Sequence, residues 1–206
     1  MAVRDRAAPF LYDQLGRLVE RELASVRRAV LAHARGHVLE IGVGTGFNLP
    51  HYPAAVEELV ITDAAPGMLR RAKQRATALS HRVHALEASA ERLPFDDASF
   101  DTVVSTLVLC SVDNQDASLA EIRRVLKPAG LLLFIEHVRA DDSRLARWQD
   151  RLERPWGLVA AGCHPNRPTL ERIHAAGFEV EELEHGKLPK SPPIVRPLIS
   201  GYARAR

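Results

Sequence analysis

An acidic residue set two positions before three alternating glycines, straight after a short apolar run, constrains this chain more than any other feature. The stretch is Val38-Leu39-Glu40-Ile41-Gly42-Val43-Gly44-Thr45-Gly46-Phe47-Asn48. A strand that ends in such a run brings bare backbone to a ligand, because residues without Cβ turn tightly and allow close approach. A dinucleotide loop wants Gly-x-Gly-x-x-Gly opening directly into a helix whose amides face a pyrophosphate. Here the third glycine comes one residue early, and the nearby Pro50 and Pro53 disfavour a long regular helix. Glu40 is a poor neighbour for a diphosphate and suits a ligand carrying an ammonium or a sulfonium. A glycine turn with no ligand is the plain alternative.

The chain then alternates strands and helices. Residues 10–34 carry Leu11, Leu15, Leu18, Val19, Leu23, Val26 and Val30 at helical spacing. Glu58 to Thr62 is a second buried strand ending at Asp63, an acid placed where it can accept hydrogen bonds from ribose hydroxyls. Helices are predicted over Met68–Ala78, Asp116–Leu126, 143–155 and 168–176, the second of them stopped by Pro128 and Gly130. Further strands are His81–Leu86, Phe100–Ser105 and the almost wholly apolar Leu131–Val138, with Phe178–Leu183 and Pro193–Ala203 closing the sheet as a hairpin-like pair. There is no internal repeat and no second domain, and the proline-rich Lys187–Pro193 is a loop.

Composition narrows the partners. The chain has 28 basic against 26 acidic residues, a net charge of only +2, so binding to nucleic acid by phosphate neutralisation is not indicated. No apolar run is long enough to span a bilayer and the N-terminus lacks a secretory h-region, so a cytoplasmic protein is expected. Cys110 and Cys163 form no metal-ligand spacing, no metal is expected, and both read as buried thiols.

Five motifs in order now carry a resemblance. They are Glu40-x-Gly42-x-Gly44-x-Gly46, Asp63 followed by Pro66-Gly67-Met68-Leu69, Ala90-Glu91-x-Leu93-Pro94-Phe95, Ser99-Phe100-Asp101, and Val125-Leu126-Lys127-Pro128-Ala129-Gly130. Over nearly its whole length the chain resembles the class I S-adenosylmethionine (SAM)-dependent methyltransferases. The resemblance implies an α/β fold: a single Rossmann-like domain with a mostly parallel seven-stranded sheet, an antiparallel last strand and helices on both faces. It also implies SAM as cofactor. Residues 1–34 would be a helical cap, 38–138 the cofactor-binding core and 139–206 the acceptor side. Glu40, Gly42, Gly44 and Gly46 would line the methionine and ribose side, joined by Asn48. Asp63 would grip the ribose. Ala64 and Met68 would border the adenine, Met68 reading equally as core, and Ala90 and Glu91 would lie at its edge. Ser89 departs from the Asp common in quinone- and sterol-type relatives, and its hydroxyl is a weaker acceptor than a carboxylate.

The acceptor side carries a narrower resemblance. Thr106 to Val112, Glu136-His137-Val138, Gly162-Cys163 and Arg196 to Ala203 are similar to the alkyl-thiol S-methyltransferases of animals. Those proteins carry an N-terminal membrane anchor. This chain begins about ten residues before its first helix, so membrane residence is not carried over. The start at Arg4, Arg6, Phe10, Leu11 and Tyr12 is compatible with peripheral membrane contact or with a solvated helix that has one buried stripe.

Methyl transfer from a sulfonium is an in-line displacement whose leaving group needs no proton, so orientation in a dry pocket is most of the task. If a base takes part, His137 is the candidate, because it follows the fifth strand at the carboxyl edge where open α/β sheets bind ligands. Its plain alternative is a histidine bonded to a neighbouring loop. Glu136 either orients it or caps the following loop. Leu107 and Leu109 would line the transfer channel, with a backbone carbonyl near Leu107 steadying the cofactor ammonium, and Cys163, His164, Asn166 and Arg167 would form a lid over a small-molecule acceptor. The leading reading is methylation of a small apolar acceptor, an alkyl thiol first. Phospholipid or quinone methylation is the alternative, because Leu49-Pro50-His51-Tyr52-Pro53 also resembles bacterial ethanolamine-phospholipid methyltransferases. A SAM- or nucleotide-sensing module without catalysis and a dehydrogenase are the readings from other classes.

Overall fold

The computed structural model describes residues 20–188 and 190–206. Within them residues 20–31 are helical (α1). The first half of the predicted 10–34 helix, and the surface around Arg4 to Tyr12, lie outside the described residues. There follow β1 (Gly36–Ile41), a 3-10 turn (Leu49–His51), β2 (Val56–Asp63), α2 (Pro66–Ala76), β3 (Arg82–Glu87), β4 (Phe100–Thr106) and α3 (Gln115–Val125). Next come β5 (Leu126–His137), α4 (Ser143–Val159), α5 (Thr169–Ala175), β6 (Phe178–Lys187), a second 3-10 turn (Pro193–Val195) and β7 (Pro197–Ala205).

All seven strands form one sheet in the order β3-β2-β1-β4-β5-β7-β6. The first five run parallel, and β7 is antiparallel to both β5 and β6. Because side chains alternate across a strand, β1 sends Val38 to one face of the sheet and Leu39 and Ile41 to the other. The first face is covered by α1 and α2 through Leu23, Val30, Leu31, Leu69 and Ala72. The second is covered by α3 and α5 through Leu119, Ile122, Val125 and Ile173. The expected helices on both faces are thus present. Phe134 and Leu132 are fully buried in the second core, and such side chains each contribute about 2–3 kcal/mol by burial.

Several boundaries differ from expectation for local reasons. Helix α2 starts at Pro66, since proline needs no hydrogen-bond partner in a first helical turn. Strand β5 starts at Leu126, which leaves α3 with an extended ψ of 137° and pairs with Phe100 before the strand bulges around left-handed Ala129. Helix α4 runs through Pro155 to Val159. Pro192 and Pro193 offer no amide for a ladder, and β7 begins only at Pro197. Among the described residues no helix is long and apolar enough to cross a membrane.

The connection out of β1 goes to β2 on one side, and β4 lies on the other. Ligands of open α/β sheets bind outside the carboxyl ends of strands at such a reversal. The loops after β1 and β4 therefore define where to look.

Candidate active site

These two loops are in contact. Gly42 adopts φ +54°, and a Cβ there would fall 2.6 Å from a methyl of Val108 in the loop after β4. Leu107 opens that loop with φ +58°, unusual for a residue with a side chain, and its amide donates to the Ile135 carbonyl at 2.8 Å. Across from them Asp63, at the end of β2, accepts the Gly44 amide at 2.8 Å and the Ala65 amide at 2.8 Å. Burial raises its pKa above the usual carboxylate range. The loop is also braced by Arg75, which donates to the Thr45 carbonyl at 2.7 Å and stands over the Phe47 ring.

Glu40 faces the α1 side and is almost completely buried. Asn48 Nδ2 donates to its Oε1 at 2.9 Å and the Tyr52 hydroxyl to its Oε2 at 2.8 Å. Asn48 in turn accepts from Arg27 Nη1 at 2.5 Å and donates to Thr106 Oγ1 at 3.0 Å. Burial pushes the Glu40 pKa up to about 7 and that of Tyr52 well above its usual value. Arg27 and Tyr52 escaped the sequence reading. Arg27 had left a sign, since it interrupts the apolar stripe between Leu23 and Val30.

Of the residues expected to border an adenine, Ala64 is exposed, Met68 half-buried and Ala90 buried. The Ser89 hydroxyl donates to Glu91, whose other oxygen accepts the Asp113 amide at 2.9 Å and the Asn114 amide at 3.3 Å. Glu91 thus anchors the segment leading into α3.

Glu136 caps the loop after β4. It accepts the Ser105 hydroxyl at 2.7 Å and the amides of Val108, Leu109 and Cys110 at 3.1 Å each. The sequence places Glu136 as orienting His137 or capping the loop that follows it; its hydrogen bonds go instead to the end of β4, the neighbouring strand in the sheet, and to the loop after it. The turn expected to act as a lid is stapled to the same loop: the His164 amide donates to the Cys110 carbonyl at 2.7 Å and Arg167 to the Leu109 carbonyl at 2.7 Å. Its far end is held by Gln149 of α4, buried, whose Nε2 lies within hydrogen-bond reach of the carbonyls of Val138, Pro165 and Ile194.

These staples bring Cys110, His137 and Cys163 together. The sulfurs are 3.9 Å apart, and His137 Nδ1 lies 3.7 Å from Cys110 Sγ and 3.6 Å from Cys163 Sγ. All three residues are buried, and among the described residues Nε2 of His137 is buried without a hydrogen-bond partner. Contact with Cys163, together with burial, raises the Cys110 pKa, while the same contact lowers that of Cys163. The sequence spacing of the cysteines gave no sign of this cluster. Leu107, Leu145, Trp156, Ala160, Ile194 and Val195 pack around it.

Comparison with known proteins agrees with this geometry. The methyltransferase-domain family matches residues 39–134. Human (Homo sapiens) thiol S-methyltransferase TMT1A is 35% identical over 178 residues, covering 81% of this chain and 69% of that protein. Human TMT1B is 30% identical over 207 residues, covering 95% and 84%. A phosphatidylethanolamine N-methyltransferase of Cereibacter sphaeroides is 34% identical over 135 residues, covering 63% and 66%. In structure, a SAM-dependent methyltransferase of Thermotoga maritima superposes with a TM-score of 0.69 at 23% identity, covering 96% of this chain and 97% of that one. A parallel sheet with a glycine loop and an acid at its reversal point, and an antiparallel strand let in beside β5, define the Rossmann-like methyltransferase class. The chain belongs to the SAM-dependent methyltransferases, and its methyl donor is SAM.

Proposed function

We propose that the methyl acceptor is a small apolar thiol, that residues 38–138 hold the donor, and that residues 139–206, with the loop after β4, form the acceptor side. The acceptor reading is carried by one observation. The stretches in which the chain is similar to thiol S-methyltransferases, distant in sequence, meet in a single wall around Cys110 and His137. That wall is apolar, which suits an alkyl group better than a charged head.

The residues at the glycine loop fit SAM. Asp63 keeps lone pairs for ribose hydroxyls after accepting two amides. Gly44 adopts φ +57° and gives its amide to Asp63, so the loop backbone turns back over the strand ends and forms a cradle there. Gly42, Gly46 and Leu107 shape that cradle, and Ala64, Met68, Ser89, Ala90 and Glu91 supply the adenine surround. Glu40 and Asn48 support it from behind, the carboxylate favouring a cationic ligand. When bound, SAM supplies an electrophilic methyl group on a sulfonium sulfur.

The chain's own residues then orient the acceptor, exclude water and handle one proton. A thiol attacks as its thiolate, and with an ordinary pKa of about 8.5 it is only partly ionised near neutrality. We assign that proton to His137, whose Nε2 is a buried nitrogen with no partner on this wall. The second reading, a phospholipid amine, draws on Leu49-Pro50-His51-Tyr52-Pro53, but Tyr52 is occupied in holding Glu40.

The test is methyl transfer from labelled SAM to a short alkyl thiol, run beside dispersed phosphatidylethanolamine. Thiol product with little phospholipid product is expected, and no thiol product above background would overturn the reading. His137→Gln should cut thiol turnover near pH 7 by about 100-fold and recover part of it above the thiol pKa.

A further inference from the structure

We propose that Cys110, His137 and Cys163 form a three-ligand site for a soft divalent metal, zinc(II) by the chemistry of the donors, whose fourth position receives the acceptor thiol. The fourth ligand rests on the thiol reading above; the other three stand on geometry. With the metal bound, His137 is a ligand through Nδ1; in the metal-free chain it keeps the proton-accepting role given above.

Tetrahedral zinc with Zn–S of about 2.3 Å and Zn–N of about 2.0–2.1 Å sets its ligand atoms about 3.8 Å apart for two sulfurs and about 3.6 Å apart for sulfur and nitrogen. The three edges here are 3.9, 3.7 and 3.6 Å. Packing alone can set two thiols at such a distance, but the rest of the arrangement argues for more. The three donors come from separate places: the loop after β4, the end of β5 and the turn after α4. Each has contacts of its own that hold it, and the His164 amide on the Cys110 carbonyl ties two of the segments together. The Cys110 amide is fixed by Glu136, and His137 lies in the ladder opposite Leu198. Cys163 is presented by Ala161 at φ +51° and Gly162 at φ +82°, and a left-handed alanine is backbone strain of the kind that persists at functional sites.

The donor set also selects the metal. Two thiolates and an imidazole favour zinc over magnesium or calcium. Three protein ligands leave one tetrahedral position for an exogenous group, which is the pattern of catalytic zinc rather than structural zinc. Ile194, Val195 and Trp156 pack against the cluster and give the incoming group an apolar surround. A thiol that binds a zinc ion gives up its proton. The acceptor S–H bond thus breaks on binding, the proton passes to solvent, and the sulfur keeps the pair. That sulfur pair forms the new bond to the methyl carbon as the carbon–sulfonium bond breaks, its electrons staying on the donor sulfur. The thioether product is neutral and a weaker ligand, which favours release.

The experiment uses the full chain, purified reduced and stripped with a chelator. Zinc per chain is measured after dialysis, and cobalt(II) alone is titrated as an optical probe. One metal per chain and a cobalt–thiolate charge-transfer band are expected, with Cys110→Ser and Cys163→Ser weakening binding by about 100-fold while circular dichroism and SAM binding persist. The wild-type cobalt spectrum reports the sulfur ligands directly, so the result does not depend on the variants folding. A reduced chain that takes up neither metal above background overturns the site, as does equal uptake by the double serine variant. Added alkyl thiol should shift the cobalt d–d bands. If metal binds but the bands do not move, the fourth-ligand assignment falls. Thiol methylation by a chain that binds no metal would leave the acceptor reading standing and sink the metal one.

Discussion

The side-chain amide of Asn48 lies 2.9 Å from Glu40 Oε1, and through it the acid at the glycine loop reaches the cation Arg27. Asn48→Ala would leave a buried carboxylate short of a donor and a buried guanidinium short of an acceptor. A loss of about 2–3 kcal/mol in urea unfolding is expected. A loss below about 0.5 kcal/mol, the level of ordinary surface changes, would mean that the network is not under tension.

Glu40 also sets a pH dependence. Its folded pKa of about 7 lies above the ordinary 4.5, so the folded state binds the proton more tightly than the unfolded chain does. The stability tied to this proton is full below about pH 4.5 and is lost as pH rises through about 7, a difference of about 3 kcal/mol. Comparing wild type with Glu40→Gln across that range cancels other groups. The stability of wild type relative to the variant should fall as pH rises, and a constant gap would refute the account.

Gly42→Ala meets two obstacles, a left-handed backbone and the methyls of Val108. The backbone part costs about 1–2 kcal/mol, and the clash adds to it. Gly42→Ala with Val108→Ala should regain the steric share but not the backbone share. Thermal melts of the two variants separate them, and no recovery would show that the loops do not press on each other there.

Asp63→Asn keeps the shape but offers one acceptor where the carboxylate offered two, and turns an amide group toward a backbone N–H. SAM affinity should drop by about 10-fold or more, in line with loss of hydrogen bonds to a charged group. Calorimetric titration checks this, and unchanged affinity would remove Asp63 from the donor site.

Gln149→Leu would strip hydrogen bonds from the carbonyls of Val138, Pro165 and Ile194 and from the Ala140 amide at once. Buried groups left without partners make this the most destabilising of the five changes, about 3 kcal/mol or more. A variant as stable as wild type would mean that water enters and replaces the amide.

Much of the fold was legible, because buried parallel strands leave apolar runs such as Leu131 to Ile135 and the glycine loop and Asp63 mark the sheet's reversal. The helix and strand ends were less so, since Pro66 and Ala129 act through local geometry that residue type alone does not settle. The meeting of Cys110, His137 and Cys163, the proposed acceptor wall, was the hardest part to see. Cys110 and Cys163 are separated by α3, β5 and α4, and they meet only through long-range staples such as the His164 amide on the Cys110 carbonyl. Gln149 resembles any polar helix residue until three loops close around it. The place of His137 at the end of β5 could be anticipated because strand-end position is a topological property, and topology could be read from the pattern.

Strand β7 comes last in the order of the chain yet sits between β5 and β6 inside the sheet. Synthesis runs from the N-terminus, so β1 to β5 can assemble on the ribosome while β6 has no neighbour to pair with. The edge of β5, where Glu136 and His137 lie, stays open until Pro197 to Ala205 emerge and pair with it. A nascent chain halted before Pro197 would present that edge to any passing strand, and chaperone capture should peak at that length.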